Sequence, residues 1–537
     1  MRTTLMIGLF LAAATACDKN DGTPKPAPSA EPAAVGTGTL SGAGAKAKPA
    51  ADIPVTSSNP QAVEAYKLGL DQYLNGRVDE ARDQFKKATG LDAKFVSALA
   101  MEGAATPGVD GVKKVADALG QAASLPEAER VHLELQQAFV IRDTAKAVEI
   151  AKKLTEVAPG AWVAHLLYGQ ALTGFGKREE AQPAYKKAME LEPTAGPAYN
   201  ALAYNELILG KADDAVTHFK KYVELMPKEA NAQDSLGEAH LMAGNYDEAE
   251  AAYKKALDLD PKFLIPWQGL GLVRLYKGDW AGAYEAFGQL RNAAPMVDEK
   301  GLALRDTMWG QLAQGKAAEA AKTLDAWDAE VAKAKDETAA VAATLSRVGF
   351  LIETKKEADG LKVLATLGDK LDKLEVPAPR KTAWQAYRRE LQSLAEARLG
   401  KKADVDKTVA VLGELIGKSE DAEMKGIVAF AQGEAAVAKG DFKAAVDSFK
   451  ACAVVDDYCT LERARAEDKV GDKAAATATR EKLQKTHRRD GLAFFAWSKV
   501  APAGAAAPAT TAATAPAAAT ATAVPKPAPM MAPAPTK

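Results

Sequence analysis

The chain has 537 residues, 47% apolar and 26% charged, and its 69 basic and 71 acidic side chains leave a formal net charge of −2. That balance offers no basic footprint for nucleic acid, and the 6% aromatic content beside plentiful Ala, Leu, Lys and Glu favours helices over strands. A length of several ordinary domains is equally the length of one repeat rod, so internal periodicity decides the architecture.

The segment 1–16 reads as a signal peptide: Arg2 supplies charge, 5–14 form an apolar run too short for a membrane span, and Ala14-Thr15-Ala16 precede Cys17. Two readings compete, a plain secretory signal cut after Ala16 and a lipoprotein signal in which Cys17 is acylated. The segment resembles a bacterial lipobox, with Ala14 where Leu is usual. That resemblance implies a lipid anchor at Cys17 carrying several acyl chains and a body facing the periplasm, with inner or outer membrane left open. Asp18, by resemblance to enterobacterial sorting signals, points to the inner one. A soluble secreted or periplasmic protein is the alternative. Residues 17–60 are rich in Pro, Ala, Gly and Thr and are expected to form a disordered tether. As a flexible coil it would reach about 35–40 Å.

From residue 61 to 297 the chain keeps a beat. Pro159, Pro193, Pro227, Pro261 and Pro295 recur at one constant step, and Ala147, Ala181, Ala215, Ala249 and Ala283 keep the same step. Each period predicts two helices. In 230–263, Leu236 and Gly237 sit within the first, Gly244 stops it at positive φ, Asp247 and Glu248 open the second, and Pro261 ends the unit. A small residue recurs at Gly169, Ala203, Gly237 and Gly271, where helix backbones would approach closely, and a ring recurs at Tyr185, Phe219, Tyr253 and Phe287, wedged between neighbours.

These residues resemble the tetratricopeptide repeat, a helix-turn-helix unit with this period and this order of large, small, aromatic and Pro positions. The resemblance implies an all-α fold: an α-solenoid, a right-handed superhelix of stacked hairpins, flanked by disordered Pro/Ala-rich ends. It is specific over 162–297, good at 62–95, and weaker at 128–161, where Leu135 replaces the small residue and Arg142 the stop glycine. Residues 298–498 read as degenerate repeats of drifting spacing, clearer again at 426–459 (Gly433, Gly440, Ala445, Phe449), with a last hairpin through about Lys485. Pro183 falls inside a predicted helix and is expected to kink it. Residues 499–537 are an Ala/Pro/Thr-rich tail expected to be disordered.

Little in this pattern carries chemistry. The pairs Lys86-Lys87, Lys186-Lys187, Lys220-Lys221 and Lys254-Lys255 read as a solvated outer face. Cys452 and Cys459 bridge the end of one helix and the start of the next, as a disulfide in an oxidising compartment or as two buried thiols. His132, His165, His218, His240 and His487 lack metal-ligand spacing and read as ordinary helix residues. There is no phosphate-binding glycine loop and no nucleophile elbow, so no cofactor, metal or small-molecule substrate is expected.

The repeat resemblance implies a concave face lined by first helices, with Gln170, Asn200, Tyr204, Asn231, Asp234, Glu238 and Gln268 facing a partner segment. The expected function is a non-catalytic protein-interaction scaffold or assembly factor of the bacterial envelope, touching the membrane through its lipid anchor only. Two rivals are a substrate-docking subunit associated with an enzyme and a structural spacer whose tails do the binding.

Overall fold

The computed structural model describes residues 52–376, 378–417, 422–452 and 456–501, which form 25 α-helices and no strand. The signal segment, Cys17, the tether up to residue 51 and the tail from residue 502 lie outside the described residues. The helices come in hairpins. The first are α1 (Pro60–Leu74) with α2 (Val78–Leu91), α3 (Val96–Ala104) with α4 (Gly108–Leu119), and α5 (Glu127–Ile141) with α6 (Thr144–Val157). Next come α7 (Trp162–Gly174) with α8 (Arg178–Leu191), α9 (Gly196–Ile208) with α10 (Ala212–Leu225), α11 (Ala230–Met242) with α12 (Tyr246–Leu259), and α13 (Ile265–Tyr276) with α14 (Trp280–Ala293). The second half holds α15 (Val297–Ala313) with α16 (Ala317–Ala334), α17 (Glu337–Glu353) with α18 (Glu357–Lys373), and α19 (Ala378–Arg398) with α20 (Lys402–Ile416). It ends with α21 (Ala422–Lys439) and α22 (Phe442–Cys452), α23 (Asp457–Val470) and α24 (Lys473–Gln484), and a lone short helix, α25 (Gly491–Ser498).

From α1 to α24 each helix packs on the next in sequence, and most first helices also touch the first helix of the following unit. The first helices therefore lie on the inside of the curve. This is the expected all-α solenoid, and the turn chemistry explains its regularity. Gly244 takes φ +79° and donates its amide to Leu241 O (2.9 Å), while Asn245 donates to His240 O (2.8 Å), closing α11 on its own last turn. A ring then locks the regular hairpins. Tyr253, fully buried, lies against Gly237 of its own unit, where a Cβ would come within 2.8 Å of the ring, and against Gly269 of the next. Gly237→Leu is accordingly expected to force the ring aside and cost about 1–3 kcal/mol, read as a lower urea midpoint with the helical circular dichroism signal otherwise kept.

The weaker unit keeps the hairpin by exchanging bulk. Leu135 stands at the small position, but Ala151 stands at the ring position, and both are fully buried in one cluster. Arg142 performs the stop at φ +60°, as Lys355 does further on. Helix α8 runs through Pro183 without interruption. After α14 the helices lengthen to 17 residues in α15 and 18 in α16, against 13 and 14 in α11 and α12, and Trp327 takes the ring position against Gly301. The longer units account for the drift in spacing. The paired lysines are all exposed. Cys452 and Cys459 are disulfide-bonded across the α22–α23 junction, their Cα atoms 6.1 Å apart.

Three expectations need correction. The disordered tether, expected to run to residue 60, is already bound from residue 52. Ile53 and Val55 pack on the core, Thr56 donates its amide and hydroxyl to Glu129 (2.9 and 2.6 Å), and Ser57 bonds Asp92 (2.6 Å). At the other end Val500 is buried and its carbonyl accepts from Gln484, so the chain is held to residue 501 rather than released at 499. The stack of repeats stops with α24, and residues 485–501 turn inward; His487 belongs to that turn and to no helix.

Candidate functional site

The inner face of α11, α13 and α15 is filled by the chain's own hook, residues 485–501. Arg489 anchors it. Its side chain is 1% exposed and makes a two-pronged ion pair with Asp234, Nη1 to Oδ2 at 2.8 Å and Nη2 to Oδ1 at 3.0 Å. Nη2 also donates to Ile265 O (2.6 Å), Glu238 Oε2 lies 3.8 Å from Nη1, and the guanidinium sits 5.0 Å over the Tyr253 ring. The fork geometry of arginine fits this carboxylate and carbonyl together, as a lysine would not.

The rest of the hook follows from that anchor. Asp490 accepts from the amides of Leu492 and Ala493, starting α25, and forms an ion pair with Arg305 at 3.3 Å. Gly491 donates its amide to Asp306 Oδ1 (3.2 Å), while Gln268 donates to the other oxygen at 2.7 Å. Arg488 reaches across to Asp457 on α23 at 3.1 Å, and its backbone exchanges hydrogen bonds with the Tyr276 hydroxyl. Helix α25 then lays Phe494 and Trp497 edge-on against Tyr276 (centroids 5.1 and 5.0 Å) and Phe495 against Trp309 (5.1 Å). Phe494 and Phe495 are at most 1% exposed.

Electrostatics in this seam are uneven. Burial, opposed by Arg489 and reinforced by Asp234, pushes the Glu238 carboxyl up to about 7. Burial likewise raises Asp457 to about 6 against the pull of Arg488, and lowers His487 to about 4. Several polar atoms here have no hydrogen-bond partner among the described residues: Glu238 Oε2, the Tyr253 hydroxyl, Arg489 Nε and Asp457 Oδ2. Each such atom forfeits about 1–3 kcal/mol.

The structure gathers only some of the residues expected on the groove. Asp234, Glu238 and Gln268 meet the hook, directly or through Asp306. Tyr204 stands behind them, its hydroxyl 2.8 Å from Ser235 Oγ and its ring edge-on to Phe219. Asn231 is half-buried at the start of α11, Asn200 is buried with an unpaired carbonyl oxygen, and Gln170 is half-buried on α7 outside the hook's reach. At the far end of the inner face, residues 52–55 and α1 cover α7 and α9, leaving a cavity of about 180 Å³ lined by Ile53, Leu70, His132, Trp162 and Pro197 among others.

Sequence reasoning missed Arg305, Asp306, Tyr276, Asp457, Arg488 and Arg489. A signal existed: Phe494, Phe495 and Trp497 crowd together in a chain only 6% aromatic, immediately behind two arginines. No helix of the described residues is long and apolar enough to cross a membrane, and none of their His, Cys, Asp and Glu groupings could hold a metal ion.

The fold and its inner face define a helical-repeat solenoid. Family models of the tetratricopeptide repeat match residues 164–194 and 194–262. The chain carries tetratricopeptide repeats over residues 164–262. Among solved structures it is similar to a tetratricopeptide repeat protein from Parabacteroides merdae (15% identity, 50% of this chain and 98% of that one, TM-score 0.38). It is also similar to PilW, a type IV pilus biogenesis factor (16%, 45% and 97%, TM-score 0.31), and to MamA from Desulfovibrio magneticus (22%, 31% and 94%, TM-score 0.29). No curated protein sequence matches the chain. Tetratricopeptide repeats bind other proteins and are generally non-catalytic, so the body is a protein-interaction scaffold.

Proposed function

We propose that this scaffold is tethered in the bacterial envelope through an acylated Cys17 and holds segments of partner proteins along its concave face. The observation that carries the reading is the hook itself: the inner face of α11 to α15 accommodates an extended turn and a short helix through one arginine and three rings. A surface that recognises such a segment in its own chain has the shape and polarity to recognise one in another. The apolar run before Cys17 and a disulfide suited to an oxidising compartment support the envelope assignment.

Photo-crosslinking amino acids placed at Gln170 and Asn231 on the inner face, and at Lys254 on the outer face, test the groove in intact cells. Discrete adducts are expected from the inner positions only; the same adducts from all three would remove the groove from the reading. For the anchor, labelled palmitate is expected in the wild type and absent from Cys17→Ser. A wild type that takes no label would refute the tether.

A further inference from the structure

We infer that residues 487–497 are an internal ligand, holding a site on α11, α13 and α15 whose external partner is a segment presenting one arginine followed by an aromatic-faced short helix. The inference rests on the reading of the inner face as a segment-binding surface and names what that surface selects. Three observations carry it.

The hook is not part of the stack it occupies. Helix α24 already covers α23 as the last hairpin, and the chain runs from it to α25 through residues 485–490, which are not helical. It touches α23 through Arg488 and Asp457 and α24 through Gln484, but its anchoring contacts reach elements far earlier in the chain: Arg489 to Asp234 at a sequence separation of 255, Arg488 to Tyr276 at 212, Gly491 to Asp306 at 185.

The site is built in charge and geometry for what it holds. Asp234 and Glu238 present two carboxylates around one guanidinium, Ile265 supplies a carbonyl, and Tyr253 supplies a ring face beneath it. Beyond the anchor, Tyr276, Trp280 and Trp309 receive Phe494 and Phe495. An arginine-led aromatic helix satisfies all of these; an acidic segment is repelled by the two carboxylates, and a proline-rich one leaves them without a countercharge.

The occupant fits imperfectly. Glu238 Oε2, the Tyr253 hydroxyl, Arg489 Nε and Asp457 Oδ2 are left without hydrogen bonds in one seam. Unpaired buried atoms of this kind also occur along the stack, at Gln72, Asn200 and Trp327 among others, and each one in the seam offsets part of the gain from burying the rings. A partner whose segment pairs them can displace the hook.

The test uses the full chain and a fluorescent peptide of residues 485–500, with a second peptide in which the arginine equivalent to Arg489 is alanine. Arg489→Ala/Phe494→Ala weakens the hook in cis and is expected to bind the first peptide at least tenfold more tightly than wild type does. Adding Asp234→Asn is expected to abolish that gain, and the arginine-free peptide is expected to bind neither chain. Equal binding by wild type and the double variant overturns the inference, as does a gain indifferent to Asp234. So does loss of the helical circular dichroism signal in the double variant at room temperature, because the hook would then be a staple of the fold. Inner-face crosslinks that fail while peptide exchange at Asp234 holds would sink the scaffold reading alone; the converse would sink this one alone.

Discussion

Arg489→Ala is expected to weaken docking of the hook by about 3–5 kcal/mol, because it leaves Asp234 buried beside Glu238 with no countercharge. The arginine is 1% exposed and Asp234 5%, so water cannot replace the lost pair. Native-state hydrogen exchange reads the effect locally, as suits a repeat protein whose stability is not one number. Amides of α25 and of the Asp234 turn of α11 are expected to exchange at least a hundredfold faster, while α1 and α2 are unchanged. The companion variant Arg489→Met/Asp234→Leu removes both charges and keeps most of the volume. It is expected to be far less damaging than the single change, since replacing a buried pair with apolar residues is often near neutral. Protection of α25 that survives Arg489→Ala would mean that the rings alone hold the hook, and the anchor role would be lost.

That anchor shows where sequence reasoning reaches its limit. The repeat beat was legible because its cause is local: a stop glycine, a small residue and a ring recur at fixed offsets, and each acts within one hairpin or on the next. Gly237 and Tyr253 could be paired on paper because both fall inside a single unit, one on each helix of the hairpin. Even the failures of the motif are local. Arg142 adopts the left-handed turn at a cost of about 1–2 kcal/mol, and Leu135 is accommodated by Ala151 one helix away. The second half was less legible because its helices outgrow the period, so that no fixed offset aligns Trp327 with Phe287. The hook was invisible for a different reason. Arg489 finds Asp234 across a sequence separation of 255 only after the intervening units have stacked, and nothing in the immediate sequence of either residue announces the other. Asp234 and Glu238 were placed on the inner face by the repeat register, and the structure adds what occupies them. Residues 52–59 mislead in the opposite direction: a Pro-bearing polar stretch is pinned by Ile53, Val55 and one carboxylate, Glu129.

The same seam is expected to respond to pH through Glu238. Its carboxyl is pushed from 4.5 up to about 7, chiefly by burial, so the docked state prefers the protonated acid. The stabilisation is fully present below the unperturbed value of 4.5 and is lost as pH rises through about 7. At about 1.4 kcal/mol per unit, the difference between pH 4.5 and pH 8 is about 3 kcal/mol. Asp457, raised from 3.8 to about 6, acts with the same sign over a lower window. His487, lowered from 6.5 to about 4, acts against both, since its docked form refuses the proton and stability falls as pH drops below 6.5. The two carboxyls together outweigh the one imidazole, so docking is expected to strengthen as pH falls from 8 towards 4.5, with His487 only flattening the gain below pH 6.5. Glu238→Gln separates the contributions, because glutamine keeps the shape and cannot ionise. It should protect the α25 amides more than tenfold better than wild type at pH 8, match wild type at pH 4.5, and leave a nearly flat profile below pH 6, where Asp457 and His487 offset each other. A variant no better protected than wild type at pH 8 would show that Arg489 holds the Glu238 carboxylate ionised at no net cost, and the base-side limb of the profile would need another source.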